Sequence, residues 1–106
     1  MKITNRQKKI YKFITEKVIG KEPDLTSLDN EYSIYTSFSS EIKIPIYPSN
    51  TFRLEYRGQY CDLSIWITPE GMIIYCFDTI DRAGVLKSVT TDLQLFELRD
   101  LYKKIR

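Results

Sequence analysis

The stretch TFRLEYRGQYCDLSIWITPEGMIIYCFD, Thr51 to Asp78, decides the reading of this chain. It parses as three antiparallel strands joined by two tight turns. Gly58-Gln59 suits a two-residue turn of type II′, with glycine supplying the positive φ at its first central position. That turn predicts pairing of Tyr56 with Cys61, Glu55 with Asp62, Leu54 with Leu63 and Phe52 with Ile65. Pro69-Glu70-Gly71 suits a three-residue loop, with proline fixing φ at its start and Gly71 taking the left-handed position of a bulge. That loop predicts pairing of Ile67 with Ile73, Ile65 with Tyr75, Leu63 with Phe77 and Asp62 with Asp78.

Side chains alternate along a strand, so both registers define the same two faces. One face gathers Phe52, Leu54, Tyr56, Cys61, Leu63, Ile65, Ile67, Ile73, Tyr75 and Phe77 and is expected to be buried. The other carries Arg53, Glu55, Asp62, Ser64, Trp66, Ile74, Cys76 and Asp78 and is expected to face water or a partner. In this register Glu55, Asp62 and Asp78 form one acidic row across three strands. Like charges directly opposite each other destabilise a sheet pair by about 0.2–1 kcal/mol, so the row needs a purpose or a neutralising neighbour. Trp66 and Ile74, further along the same face, add an apolar spot.

Outward from this core, Thr4 and Gln7 form a capping-box pattern, and Ile10, Phe13, Ile14 and Val18 follow at helical spacing. A helix is expected from about Asn5 to Ile19, stopped by Gly20. Arg6, Lys8, Lys9, Lys12 and Lys17 crowd its other side, as a solvated face or a phosphate-binding stripe. Lys21 to Asn30, containing Pro23, reads as a connector. Tyr32–Phe38 and Ile42–Tyr47 alternate as strands, and Pro45 places the second at an edge or a bulge. Beyond Asp78, Thr79 to Gly84 reads as loop and Val85 to Val89 as a short strand or extended chain. Thr91 and Gln94 repeat the capping pattern, and Leu95, Leu98, Leu101, Tyr102 and Ile105 predict a helix from about Asp92 to Ile105. The expected fold class is α+β: a single domain, 1–106, with an antiparallel four- to five-stranded meander sheet. The N-terminal and C-terminal helices are expected to pack on one face.

Composition narrows the function classes. The net charge of +2 is too small to imply nucleic-acid binding by itself. Histidine is absent, which removes the usual general base and the commonest metal ligand. The two cysteines, Cys61 and Cys76, fall on opposite faces and are not expected to bond, which fits a reducing compartment. Met1 to Ile10 is basic and polar, so no membrane segment is read there and the cytoplasm is expected. Cys76 beside carboxylates is a poor nucleophile. Asp62 and Asp78 stand too close for an inverting acid–base pair. The acidic row admits three uses: a solvated stripe balanced by Arg53, Arg57 or Lys87, a hard-cation site with Ser64, or a docking surface for a basic partner.

These readings converge on a small non-enzymatic binding protein without a cofactor or metal. Its kind is that of toxin-neutralising immunity proteins and phage-type inhibitors. Glu55, Asp62 and Asp78 are expected to pair with the cations of a basic toxin or nuclease, while Trp66 and Ile74 form the dry anchor. The alternative is a nucleic-acid-binding module built on the basic N-terminal helix and the tyrosines Tyr35 and Tyr47.

Overall fold

The structure is a computed structural model and describes residues 3–23, 25–29, 51–79, 82–89 and 91–105. It is an α+β protein with an antiparallel sheet, in which β1 (Leu25–Asp29), β2 (Thr51–Arg57), β3 (Cys61–Ile67), β4 (Ile73–Thr79) and β5 (Arg82–Val89) lie side by side in chain order. Helix α1 (Asn5–Phe13) runs into a π-helical turn, Ile14–Val18, and α2 (Asp92–Ile105) follows the sheet. The expected strands Tyr32–Phe38 and Ile42–Tyr47, and the tyrosines Tyr35 and Tyr47, lie outside the described residues.

Both helices start on the expected caps. The Thr4 hydroxyl accepts from the Gln7 backbone N–H at 3.1 Å and Gln7 Oε1 accepts from the Thr4 N–H at 2.9 Å, closing a capping box. Gln7 is fully buried, and its Nε2 donates to the Ile67 carbonyl at 2.9 Å, which pins the start of α1 to the end of β3. Thr91 and Gln94 make the same reciprocal bonds at the start of α2, each at 3.2 Å. The last turns of the first helix widen because the Thr15 hydroxyl donates back to the Tyr11 carbonyl at 2.9 Å, competing with the helical ladder. Ile19 then bonds to Ile14, five residues back, at 2.8 Å. This winding brings Ile14, Thr15, Val18 and Ile19 all into the interior.

The ten apolar residues expected on one sheet face all join a single core. Leu54, Tyr56, Leu63, Ile65, Ile67, Ile73 and Tyr75 are buried in it, and Phe52, Cys61 and Phe77 pack against it. Ile14, Val18 and Ile19 share this core with Leu95, Leu98, Tyr102 and Ile105. Tyr56 and Tyr102 meet edge to face at 5.3 Å, as do Tyr11 and Phe52 at 5.2 Å. Fully burying an aliphatic side chain of this size contributes about 1.5–3 kcal/mol.

Three details of the strands differ from expectation. The stretch expected as a connector contains β1, which pairs Leu25 with Glu55 through Asp29 with Thr51. It lacks a strong strand pattern; what orders it is the second edge of β2, whose N–H and C=O groups need partners. The expected loop at 79–84 is largely strand: β4 runs to Thr79, β5 begins at Arg82, and the register shifts between Phe77 and Thr79. Finally, the β2–β3 turn is centred on Gln59-Tyr60 and not on Gly58-Gln59. Gly58 N–H donates to the Cys61 carbonyl at 3.0 Å, and the observed pairs are Phe52 with Ile67, Leu54 with Ile65, Glu55 with Ser64 and Arg57 with Asp62. Moving the turn centre by one residue moves every partner by two. The inward face therefore survives and the charge pairing changes.

The β3–β4 register is the expected one, from Ile67 opposite Ile73 to Asp62 opposite Asp78. Gly71 has φ +89°, the left-handed residue of the expected three-residue loop. The Thr68 N–H donates to the Met72 carbonyl at 2.9 Å to close it.

Candidate functional site

The five residues expected to form a docking face separate into two groups. Trp66 and Ile74 do stand opposite each other, but Trp66 is 0% and Ile74 2% exposed, so the expected surface anchor is interior. Cys76 and Ser64 on the same face are buried too. The central sheet is thus buried on both faces, and the expectation of one wet face is corrected. The signal was present in the sequence. Ile65-Trp66-Ile67 and Ile73-Ile74-Tyr75-Cys76-Phe77 are unbroken apolar runs, and such runs mark strands covered on both sides, whereas a half-exposed strand alternates.

Glu55 also leaves the acidic row. It lies opposite Ser64, is 7% exposed, and its two carboxylate oxygens accept from Arg53 Nη2 at 2.9 Å and Arg57 Nη2 at 3.0 Å. The three charges alternate along one strand and so project from one face, which is why a residue spacing of two suffices for the triad. The Arg53 guanidinium carbon also sits 5.6 Å from the Trp66 ring centroid, a cation–π distance. Glu55 is consumed as the counter-ion of a largely buried polar layer.

Asp62 and Asp78 remain together. They are direct cross-strand partners at the end of β3 and β4 nearest the β2–β3 turn, and both are half-buried. Asp62 Oδ1 accepts from the Gly58 N–H at 3.2 Å, and Asp78 Oδ1 accepts from the Cys76 thiol at 3.6 Å. With Gly58, Gln59, Tyr60, Cys61 and Thr79 they line a shallow concavity of about 120 Å³. Tyr60, at the tip of the turn, is 66% exposed. The sequence does not single it out, because a turn centred on Gly58-Gln59 leaves Tyr60 in a paired position. The site is therefore smaller than expected: two opposed carboxylates and one projecting tyrosine.

Burial first, then the Asp78 charge and the hydrogen bond to it, push the Cys76 thiol up to about 12, so it stays protonated and non-nucleophilic near neutrality. The described residues contain no group of three His, Cys, Asp or Glu side chains placed to hold a metal ion. Among the described residues, no helix is long and apolar enough to cross a membrane. No protein-family model, curated protein or solved structure matches the chain significantly.

Proposed function

We propose that this chain is a non-enzymatic cytoplasmic binding protein that neutralises a basic macromolecular partner by occlusion, in the manner of immunity proteins and phage-type inhibitors. The observation that carries this reading is the opposition of Asp62 and Asp78 beside exposed Tyr60. A lysine or arginine from a partner that reaches both carboxylates gains charge-assisted bonds to them. Tyrosine beside such a pair supplies rigid apolar area with a polar tip, the usual composition of an interface anchor. The contact is thus Asp62, Asp78 and Tyr60, with Glu55, Trp66 and Ile74 as the buried support of the strands.

The test uses the exposed turn. A photo-crosslinking residue at Gln59, in the cell that makes the protein, should trap a basic protein. Asp62→Lys should remove that adduct and weaken the purified complex by about 2–5 kcal/mol if the charge pair is desolvated. Folding should change little. The lost Gly58–Asp62 bond costs about 0.5–1.5 kcal/mol. An adduct that persists at full strength in Asp62→Lys would sink the proposal.

A further inference from the structure

At the opposite end of β3 from Asp62, five residues or about 17 Å along the strand, a second surface has the reverse chemistry. A groove of about 470 Å³ opens between α1, the Gly71 loop, the end of β5 and the start of α2. Its walls are mainly Ile10, Phe13, Met72, Val89 and Leu95, and Lys9 of α1 and Asp92 of α2 also line it. The volume lies within the range of about 300–1,000 Å³ typical of occupied ligand clefts. Phe13 is 37% exposed, and on α2 Leu93 is 81% exposed. Gly71 keeps the loop low: a Cβ there would come within 2.6 Å of Arg6 Nε, so the Arg6 side chain lies across the loop beside the groove.

On the α1 side of this cleft the charge is one-sided. Along α1 and the π turn, Arg6, Lys8, Lys9, Lys12 and Lys17 are exposed, against the single acid Glu16. We infer that the groove docks an acidic amphipathic segment of a partner protein. Apolar side chains at helical spacing would enter between Phe13 and Leu95, and flanking carboxylates would meet Lys9 and Arg6. Asp92 in the lining disfavours a polyphosphate or an anionic lipid headgroup lying across the cleft, whereas it pairs readily with a lysine or N–H of a peptide. A concave apolar slot also fits discrete side-chain anchors better than the flat stacking of bases. This surface is independent of the Asp62–Asp78 site and prefers a partner segment of opposite charge.

The experiment measures fluorescence anisotropy of the whole chain with three short labelled peptides. The first has leucine and phenylalanine on one helical face and glutamate elsewhere. The second replaces glutamate by lysine. The third keeps the glutamates and scatters the apolar residues. The acidic amphipathic peptide should bind at least about tenfold more tightly than the other two. Lys9→Glu, at an exposed position, should weaken it about tenfold without changing the unfolding transition, and Phe13→Ser should weaken it about tenfold in a chain that still unfolds cooperatively. Asp62→Lys should bind it like the parent protein, which separates this site from the first. Equal binding of all three peptides, insensitivity to Lys9→Glu and Phe13→Ser, or loss in Asp62→Lys would overturn the inference. So would binding confined to phosphatidylserine vesicles or to a single-stranded oligonucleotide.

Discussion

Glu55 shows how one side chain changes meaning with its neighbours. On an exposed row it would be a docking charge; between Arg53 and Arg57 it is their shared counter-ion, and it makes Arg53 tolerable next to buried Trp66. Removing one partner of a buried ion pair is costly because the remaining charge stays desolvated. Arg57 is mostly exposed and Arg53 is not, with side-chain exposures of 61% and 29%. The three members therefore weigh differently. Glu55→Ala is expected to destabilise the fold by about 1–3 kcal/mol, less than a fully buried pair because water reaches both arginines. Arg53→Ala should cost more than Arg57→Ala, whose exposed pair contributes about 0–1 kcal/mol. Urea unfolding of the three variants checks the order. Arg57→Ala costing as much as Arg53→Ala would show that the layer is not organised around burial.

The elements were legible wherever local chemistry alone sets them. The two capping boxes, the Gly71 loop and the β3–β4 register each follow from residues within a few positions of one another. The β2–β3 turn was not legible, because its glycine serves a distant neighbour. Gly58 does not have a positive φ; a Cβ at this position would lie 2.4 Å from Ile105 Cγ2, 2.5 Å from the Ile105 carbonyl oxygen and 2.9 Å from the Cys61 carbonyl oxygen. The residue is glycine because the end of α2 rests on it, and no pattern near position 58 announces that contact. Two of the clashing atoms are backbone, so relief requires the helix end or the strand to move. Gly58→Ala is therefore expected to cost about 1–3 kcal/mol, the range for overpacking. It should also perturb amide resonances near Ile105. Stabilisation by Gly58→Ala, the usual result where glycine merely adds unfolded-chain entropy, would refute the close-packing explanation. β1 is not legible for a related reason: its order comes from the second edge of β2, a property of another strand.

At the scale of the whole molecule, burial on both faces of the sheet converts ionisable side chains into pH-sensitive ones. Cys76 sits on one face and Tyr75 on the other. The Cys76 thiol is raised to about 12 by burial and then by Asp78. The Tyr75 hydroxyl, 2.9 Å from Glu97, is pushed well above the ordinary phenol range by burial and then by that carboxylate. Both groups are acids that the folded chain keeps neutral, with folded values above their unfolded ones. Their stabilisation is fully present below the unfolded values, about 8.5 for thiol and 10 for phenol. It is lost as pH rises through the window between those values and the folded ones. Stability should therefore begin to fall near pH 8.5–9, by at most about 1.4 kcal/mol per pH unit for the thiol alone. Other tyrosines and lysines titrate in the same region, so the measurement is a difference. Urea unfolding of the parent and of Cys76→Ala, from pH 7 to 11, should give curves that run parallel below pH 8 and converge or cross above 9. Tyr75→Phe should part from the parent only above about pH 10. Parallel curves across the whole range for Cys76→Ala would mean that water reaches the thiol. The second face would then be less closed than Trp66, Ile74 and Cys76 together indicate.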